Sequence, residues 1–171
     1  MQMESTPALT ILDAKQIDQK IKRMAYEILE NNFSEKEILF AGICAQGEAL
    51  AKKLVKQLNA ISNIKTSIIR IDLDKNHPFR TELNETKIGE ESKNRVIILV
   101  DDVLNTGKTV AYGMKPFLTV EVKKIEVAVL VNRSHPAFPI SPAYTGYELS
   151  TTLSESVVVK ITGKEKGVYL N

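Results

Sequence analysis

The chain has 171 residues and carries 23 Lys and Arg against 21 Asp and Glu, a formal charge of +2, which gives no whole-chain case for nucleic-acid binding but leaves room for a local basic face. That length fits one domain of roughly 100–200 residues, large enough to fold without disulfides or a structural metal. One cysteine, Cys44, excludes an internal disulfide framework and fits a reducing cytoplasm, while the opening MQMESTPALT lacks a secretory leader pattern and no apolar run approaches the roughly 20 residues that span a bilayer.

Residues 13–32 place Ile17, Ile21, Ala25, Ile28 and Leu29 on one stripe, which predicts a helix with Asp13 as its cap. EILFAGI (37–43) reads as a short buried strand, and after Gly47 the helical period resumes at Leu50, Leu54, Val55 and Leu58. TSIIRID (66–72) is a second strand, rich in β-branched residues. Residues 73–94 are polar and without period, and so long a loop in a compact domain is usually functional or disordered. RVIILVD (95–101) is apolar on both faces, as in the centre of a parallel sheet. A helix from about Gly107 to Leu118 should be shortened or kinked by Pro116. KIEVAVLV (124–131) makes a fourth strand and SVVVKI (156–161) a last one. Between them, 132–156 holds Pro136, Pro139 and Pro142 with Phe138, Tyr144 and Tyr147, and reads as a small hood over the sheet edge. Strands alternating with helices predict an α/β fold with a mainly parallel sheet.

The stretch ILVDDVLNTGKT (98–109) joins two features that conflict in a nucleotide-binding loop. Gly107-Lys108-Thr109 ends like a Walker A motif, but the first glycine of that motif would fall at Asp102, where a carboxylate would repel the phosphates. The alternative arrangement is a buried strand delivering Asp101 and Asp102 to its carboxyl end, where open α/β sheets bind ligands. The turn Asn105-Thr106-Gly107 then enters a helix whose free N–H groups favour an anion by about 0.3–2 kcal/mol. A phosphate beside a vicinal diol, as in ribose 5-phosphate, satisfies both halves: the turn takes the anion and the acids accept from hydroxyls. The bland alternative is a strand ending in two capping acids, which does not account for the ordered N-T-G-K-T that follows.

VIILVDDVLNTGKT (96–109) resembles the phosphoribosyl-pyrophosphate (PRPP) motif of type I phosphoribosyltransferases. The resemblance extends over nearly the whole chain to the pyrimidine operon attenuators with uracil phosphoribosyltransferase activity, the PyrR family, through ILDAKQIDQKIKRMAYEILENN (11–32), AGICAQGEALAKKL (41–54) and VAVLVNRSHPAFPI (127–140). It implies a single phosphoribosyltransferase domain that moves ribose 5-phosphate from PRPP to a nucleobase, uracil first, with Mg2+ accompanying PRPP and with pyrophosphate released. It implies that Asp101 and Asp102 hold the ribose hydroxyls as the catalytic pair, that Asn105, Thr106, Gly107, Lys108 and Thr109 cradle the 5-phosphate, and that Cys44, Ala45, Gln46 and Gly47 form the pyrophosphate loop. Val131, Asn132 and Arg133 correspond to the base pocket. No metal ligand set supplied directly by the protein is expected. A homodimer or higher homo-oligomer is implied, and no membrane partner.

Asn105 stands where purine-salvage relatives carry an aspartate, and an amide cannot take a proton from a purine ring. The chain departs from the PyrR pattern at Gln46, where a basic residue is usual, at DLDKNHPFR (72–80) in place of a Tyr-Arg-Asp-Asp pattern, at Asn132 in place of aspartate, and at Ala143. Arg80 or Lys87 could close over pyrophosphate, or simply be solvated loop charges. His77 and His135 lack the partner spacing of a metal site, and Phe138, Tyr144 and Tyr147 divide evenly between base stacking and the underside of the hood. Two other functions remain open: a nucleotide-sensing RNA-binding regulator of pyrimidine genes, and a degenerate PRPP-binding paralogue. RNA would need a basic face, for which Lys15, Lys20, Lys22, Arg23, Lys52, Lys53 and Lys56 are candidates, diluted by Asp18, Glu27 and Glu48, so RNA is possible but not favoured.

Overall fold

A computed structural model describes residues 8–171, so most of the opening MQMESTPALT, expected to hold no leader, lies outside the described residues. After β1 (Leu9–Leu12), helix α1 (Ala14–Asn32) starts where the sequence places it. Asp13 Oδ1 accepts from Gln16 N at 2.8 Å while Gln16 Oε1 accepts from Asp13 N at 2.9 Å, a reciprocal cap that satisfies two otherwise orphaned donors. Then come β2 (Glu37–Ile43), α2 (Cys44–Ile61), β3 (Lys65–Ile71), α3 (Glu85–Ser92), β4 (Val96–Leu104), α4 (Lys108–Gly113), β5 (Lys124–Asn132), β6 (Tyr144–Glu148), β7 (Val157–Lys160) and β8 (Gly167–Leu170).

Five strands form one parallel sheet in the order β3-β2-β4-β5-β6. Alternation along β2 and β4 divides the core in two. Ile38, Phe40, Ile98 and Val100 face the layer of α1 and α2, where Ile17, Ile28, Leu50 and Leu54 are fully buried. Leu39, Ala41, Ile97 and Leu99 face the other layer, with Val110 and Phe117. Burial on both sides is why the central strand reads as an unbroken apolar run. Among the described residues, no helix is long and apolar enough to cross a membrane.

Two expectations are corrected. The segment 73–94 is not a structureless loop: it contains a 3-10 turn at Pro78–Arg80 and the two-turn helix α3, capped by Asn84 Oδ1 accepting from Lys87 N at 3.1 Å. Within α3 only Ile88 is a large apolar residue, too little to register as a period. The helix instead docks on the segment after α4, where a Cβ on Gly89 would stand 2.8 Å from Thr119 Oγ1.

The segment 132–156 is not the hood. Its Tyr144–Glu148 is the fifth parallel strand, with Ala128 opposite Tyr144 and Val131 opposite Tyr147. Gly146 permits the close approach, since a Cβ there would lie 2.6 Å from the Leu130 carbonyl oxygen. The hood is a separate antiparallel sheet, β1-β8-β7, built from both ends of the described chain. Thus 156–161 supplies a strand, but not of the main sheet. Pro116 acts as expected: α4 stops at Gly113 and continues as a 3-10 turn, Lys115–Leu118.

Candidate functional site

Strand β4 runs three residues further than the sequence suggests, so Asp101 and Asp102 lie inside its last stretch, hydrogen-bonded alongside β5. Asp101 is buried, 2% exposed, and its Oδ1 accepts from Asp102 N at 2.9 Å; Asp102 Oδ1 accepts from Val103 N at 2.9 Å. A residue that sequence reasoning overlooked completes the group. Lys75, from the segment after β3, places Nζ 2.8 Å from Asp101 Oδ1 and 3.1 Å from Asp102 Oδ1. Burial alone would lower the Lys75 pKa, but the Asp101 and Asp102 charges outweigh it and hold the ammonium well above its usual range. Burial pushes the Asp101 carboxyl up to about 7, with Lys75 opposing and Asp102 reinforcing the rise. The cluster therefore keeps its cation, while burial favours the protonated form of Asp101. No periodic or motif signal marks Lys75, because its reach across the end of β2 is set by the sheet order.

Beyond Leu104 the chain turns through Asn105, Thr106 and Gly107 into α4. Gly107 has φ +83°, a left-handed conformation that favours glycine, and a Cβ there would come within 3.0 Å of the Ile140 side chain. The Thr106 carbonyl accepts from Ala137 N at 2.9 Å and Phe138 N at 3.0 Å, which fixes the turn against the following segment. Among the described residues, the N–H groups of Thr106, Gly107 and Thr109 donate to no backbone carbonyl outside regular helix or strand pairing, and Lys108 N donates only to Thr106 Oγ1, at 3.3 Å. These residues, the acid pair, Lys75 and Val157 from the hood line one cleft of about 430 Å³.

A second cavity of about 260 Å³ shares the wall Asn105–Gly107 and is lined on its other side by Asn132, Ser134, Ile140 and neighbouring prolines. Asn132 borders it, with Oδ1 accepting from Ser134 N at 3.0 Å. Val131 is fully buried in β5. Arg133 binds other protein groups: it donates to Asn105 Oδ1 at 3.0 Å, Thr151 Oγ1 at 2.9 Å, Thr152 O at 3.2 Å and Glu155 O at 2.6 Å.

Cys44, Ala45, Gln46 and Gly47 are not a free loop. They form the first turn of α2, entered through Cys44 at φ +53°. The Cys44 thiol donates to Leu73 O at 3.2 Å, and Gln46 Oε1 accepts from Ile161 N at 3.4 Å, so Gln46 turns toward the hood. Gly47 presses on the acid strand: a Cβ would lie 2.5 Å from the Val100 carbonyl oxygen. None of the four lines the 430 Å³ cleft. Arg80 sits over the Phe79 ring at 5.3 Å and Lys87 lies in the first turn of α3; neither lines the cleft. His77 Nδ1 is 3.6 Å from Asp74, and His135 meets Thr151 Oγ1 at 3.1 Å. Tyr144 is fully buried with its hydroxyl on Glu126 at 2.9 Å, which removes it from base stacking. Tyr147 lies under Lys20, and Phe138 packs edge-on to Tyr112.

The acid pair and the glycine-bearing turn meet at the carboxyl end of a central parallel strand, and the chain belongs to the phosphoribosyltransferase family: the description "Phosphoribosyl transferase domain" matches residues 8–161. Within it, the chain is similar to proteins named "Bifunctional protein PyrR". It is 33% identical over 160 residues to that of Limosilactobacillus reuteri, covering 88% of this chain and 90% of the relative. It is 31% identical over 171 residues to that of Fusobacterium nucleatum, covering 94% and 96%. Among solved structures, the hypoxanthine phosphoribosyltransferase of Trypanosoma cruzi superposes with a TM-score of 0.75 at 14% identity over 94% of both chains. A hypoxanthine-guanine phosphoribosyltransferase of Bacillus anthracis gives 0.70 at 18% identity over 94% of this chain and 96% of that one. These two likenesses establish the fold as the type I phosphoribosyltransferase fold.

Proposed function

We propose that this protein transfers the phosphoribosyl group of PRPP to a pyrimidine base, uracil first, releasing pyrophosphate in base salvage. The observation that carries the reading is the meeting of Asp101 and Asp102 with the 105–109 turn in one cleft at the end of β4. The turn offers N–H groups and the Thr106 and Thr109 hydroxyls to the 5-phosphate, and the acids accept from the ribose hydroxyls one turn away. Catalysis is then positioning, with charge stabilised on the leaving group as the C1′–oxygen bond opens and a base nitrogen approaches. Two carboxylates that already converge on one ammonium form a hard-oxygen donor pair suited to a hydroxyl-bound Mg2+. Such an ion would supply positive charge that offsets the charge of the leaving pyrophosphate.

The smaller cavity is our candidate base pocket, with Asn105 between it and the sugar. Arginine only donates, so the Arg133 bond commits the Asn105 oxygen and leaves its amide N–H groups for a ligand. A donor suits the carbonyl edge of uracil and offers nothing to a purine nitrogen that carries a proton. We read the chain, residues 1–171, as one catalytic domain working in the cytoplasm as a homodimer or larger homo-oligomer.

The test is pyrophosphate release from PRPP and Mg2+ with uracil, hypoxanthine, guanine, adenine or orotate, against Asp101→Asn/Asp102→Asn as the blank. Release with uracil alone, absent in the blank, is expected; release with a purine would refute the base assignment. A second reading, PRPP binding without turnover, draws on Gln46 turning to the hood and leaving no cation in that first helical turn. PRPP bound without release under any base would favour it. For the RNA-binding reading, two of the candidate cations are ion-paired, Arg23 with Glu27 at 2.6 Å and Lys52 with Glu48 at 2.8 Å, which thins the basic face. Salt-dependent binding to a pyrimidine-gene leader transcript would support that reading.

A further inference from the structure

Lys75 occupies the place where the proposed reaction needs two hydroxyls. Its ammonium lies 2.8 Å and 3.1 Å from the two acids, and it stands in the wall of the same cleft as the phosphate turn. The oxygens it engages are those that would otherwise accept from a vicinal diol, and Asp101 Oδ1 is already shared with a backbone N–H. Each acid keeps a second oxygen, but an ammonium seated between the two Oδ1 atoms competes with a diol for the same pair. Lys75 reaches the site from a short stretch between β3 and the 3-10 turn, which Asp74 organises by accepting from Asn76 N at 2.9 Å.

We propose that Lys75 is an internal occupant of the sugar site, seated between Asp101 and Asp102 in the free protein and displaced when a phosphorylated ribose binds. The inference rests on the sugar site proposed above. The free protein thereby keeps a cation on buried Asp101 and its neighbour Asp102, and a ligand that brings phosphate but no diol leaves it seated. A pentose phosphate must break the ion pair, so its apparent affinity is reduced by the fraction of molecules in which Lys75 has left.

Ribose 5-phosphate is the probe, because it carries the diol and the phosphate but lacks the pyrophosphate that a displaced ammonium could follow. Calorimetric titration of Lys75→Met should show ribose 5-phosphate bound about tenfold tighter than by the unaltered chain, the gain expected if roughly one molecule in ten is open. Inorganic phosphate, which needs only the turn, should bind both chains alike, and that result also reports that the variant is folded. Equal or weaker binding of ribose 5-phosphate by Lys75→Met would overturn the proposal while leaving the sugar site standing. Failure of both chains to bind the sugar phosphate would overturn the sugar site and the proposal with it. A variant-free measurement stands beside this: amine acetylation at Lys75, followed by peptide mass spectrometry, should quicken when ribose 5-phosphate is added. Slower acetylation would mean that Lys75 holds the sugar rather than making way for it, and would refute the proposal.

Discussion

Arg133 and Asn105 are joined by a 3.0 Å hydrogen bond from the guanidinium to the amide oxygen, and the same guanidinium also holds Thr151, Thr152 and Glu155. One side chain thus fixes both the first residue of the 105–107 turn and the strand-free stretch leading to β7. Its planar fork makes these bonds in fixed directions, which a lysine cannot reproduce. Arg133→Lys should raise the Michaelis constant for uracil about tenfold with a smaller change in kcat, because it frees the Asn105 amide to rotate. Chemical denaturation should show a loss of about 1.5–3 kcal/mol, the scale of hydrogen bonds to a charged group. A wild-type Michaelis constant would show that Asn105 needs no such orientation.

Gly47 and the acid strand give a second test. Any Cβ at Gly47 meets the Val100 carbonyl oxygen at 2.5 Å and Asp101 Cα at 3.5 Å, so Gly47→Ala must move backbone at the acid pair. The expected cost is about 1–3 kcal/mol, typical of overpacking, read from a urea midpoint. Turnover should fall further than stability explains, since the displaced strand carries Asp101.

Asp101 carries a pH signature. Its folded pKa is raised, to about 7 from an ordinary 3.8, so the folded state holds its proton more tightly than the unfolded state does. The stability this contributes is complete below about pH 3.8 and is lost as pH rises through about 7, at up to roughly 1.4 kcal/mol per unit. Exposed carboxylates with lowered values, Glu155 and Glu165 among them, act in the opposite sense as pH falls. The difference between the wild type and Asp101→Asn isolates the buried group. Urea midpoints from pH 4 to 8 should converge with, then fall relative to, those of the variant; parallel curves would deny Asp101 its raised value.

Tyr144 separates packing from recognition. Its ring is fully buried, and its hydroxyl donates to Glu126 and accepts from Asn32 at 3.2 Å. Tyr144→Leu should lower the melting temperature by stranding those buried groups, at about 1–3 kcal/mol. The Michaelis constant for the base should not change; a selective rise would return Tyr144 to the base pocket.

The sheet was legible where burial imposes a pattern. EILFAGI matches β2 residue for residue, and the stripe from Ile17 to Ile28 with its Asp13 cap gives α1. Legibility failed where tertiary contact replaces pattern. Helix α3 has one large apolar residue and depends on its docking partner, while β6 is five residues long with a glycine at its centre. Hood strands β1 and β8 are four residues each and pair across almost the whole chain. At the site, the DD-to-GKT run was visible because its residues are contiguous. Lys75, 26 residues before Asp101, joins them only through the strand order, and Gln46 is drawn off the cleft by a hood whose position no local signal gives.

The pairing of β1 with β8 sets an order of assembly. Every strand of the parallel sheet has been made once Glu148 leaves the ribosome, whereas Leu9 must wait for Leu170 before its own pairing exists. Closing a loop that long carries a large entropic penalty, so the hood should form last and open first. Hydrogen exchange should accordingly find the amides of Leu9–Leu12 and Gly167–Leu170 far less protected than those of Val96–Val100. The part of the molecule over the cleft is thus the part that depends on the first described strand and the last, and trimming either would unroof the site while leaving the sheet beneath it whole.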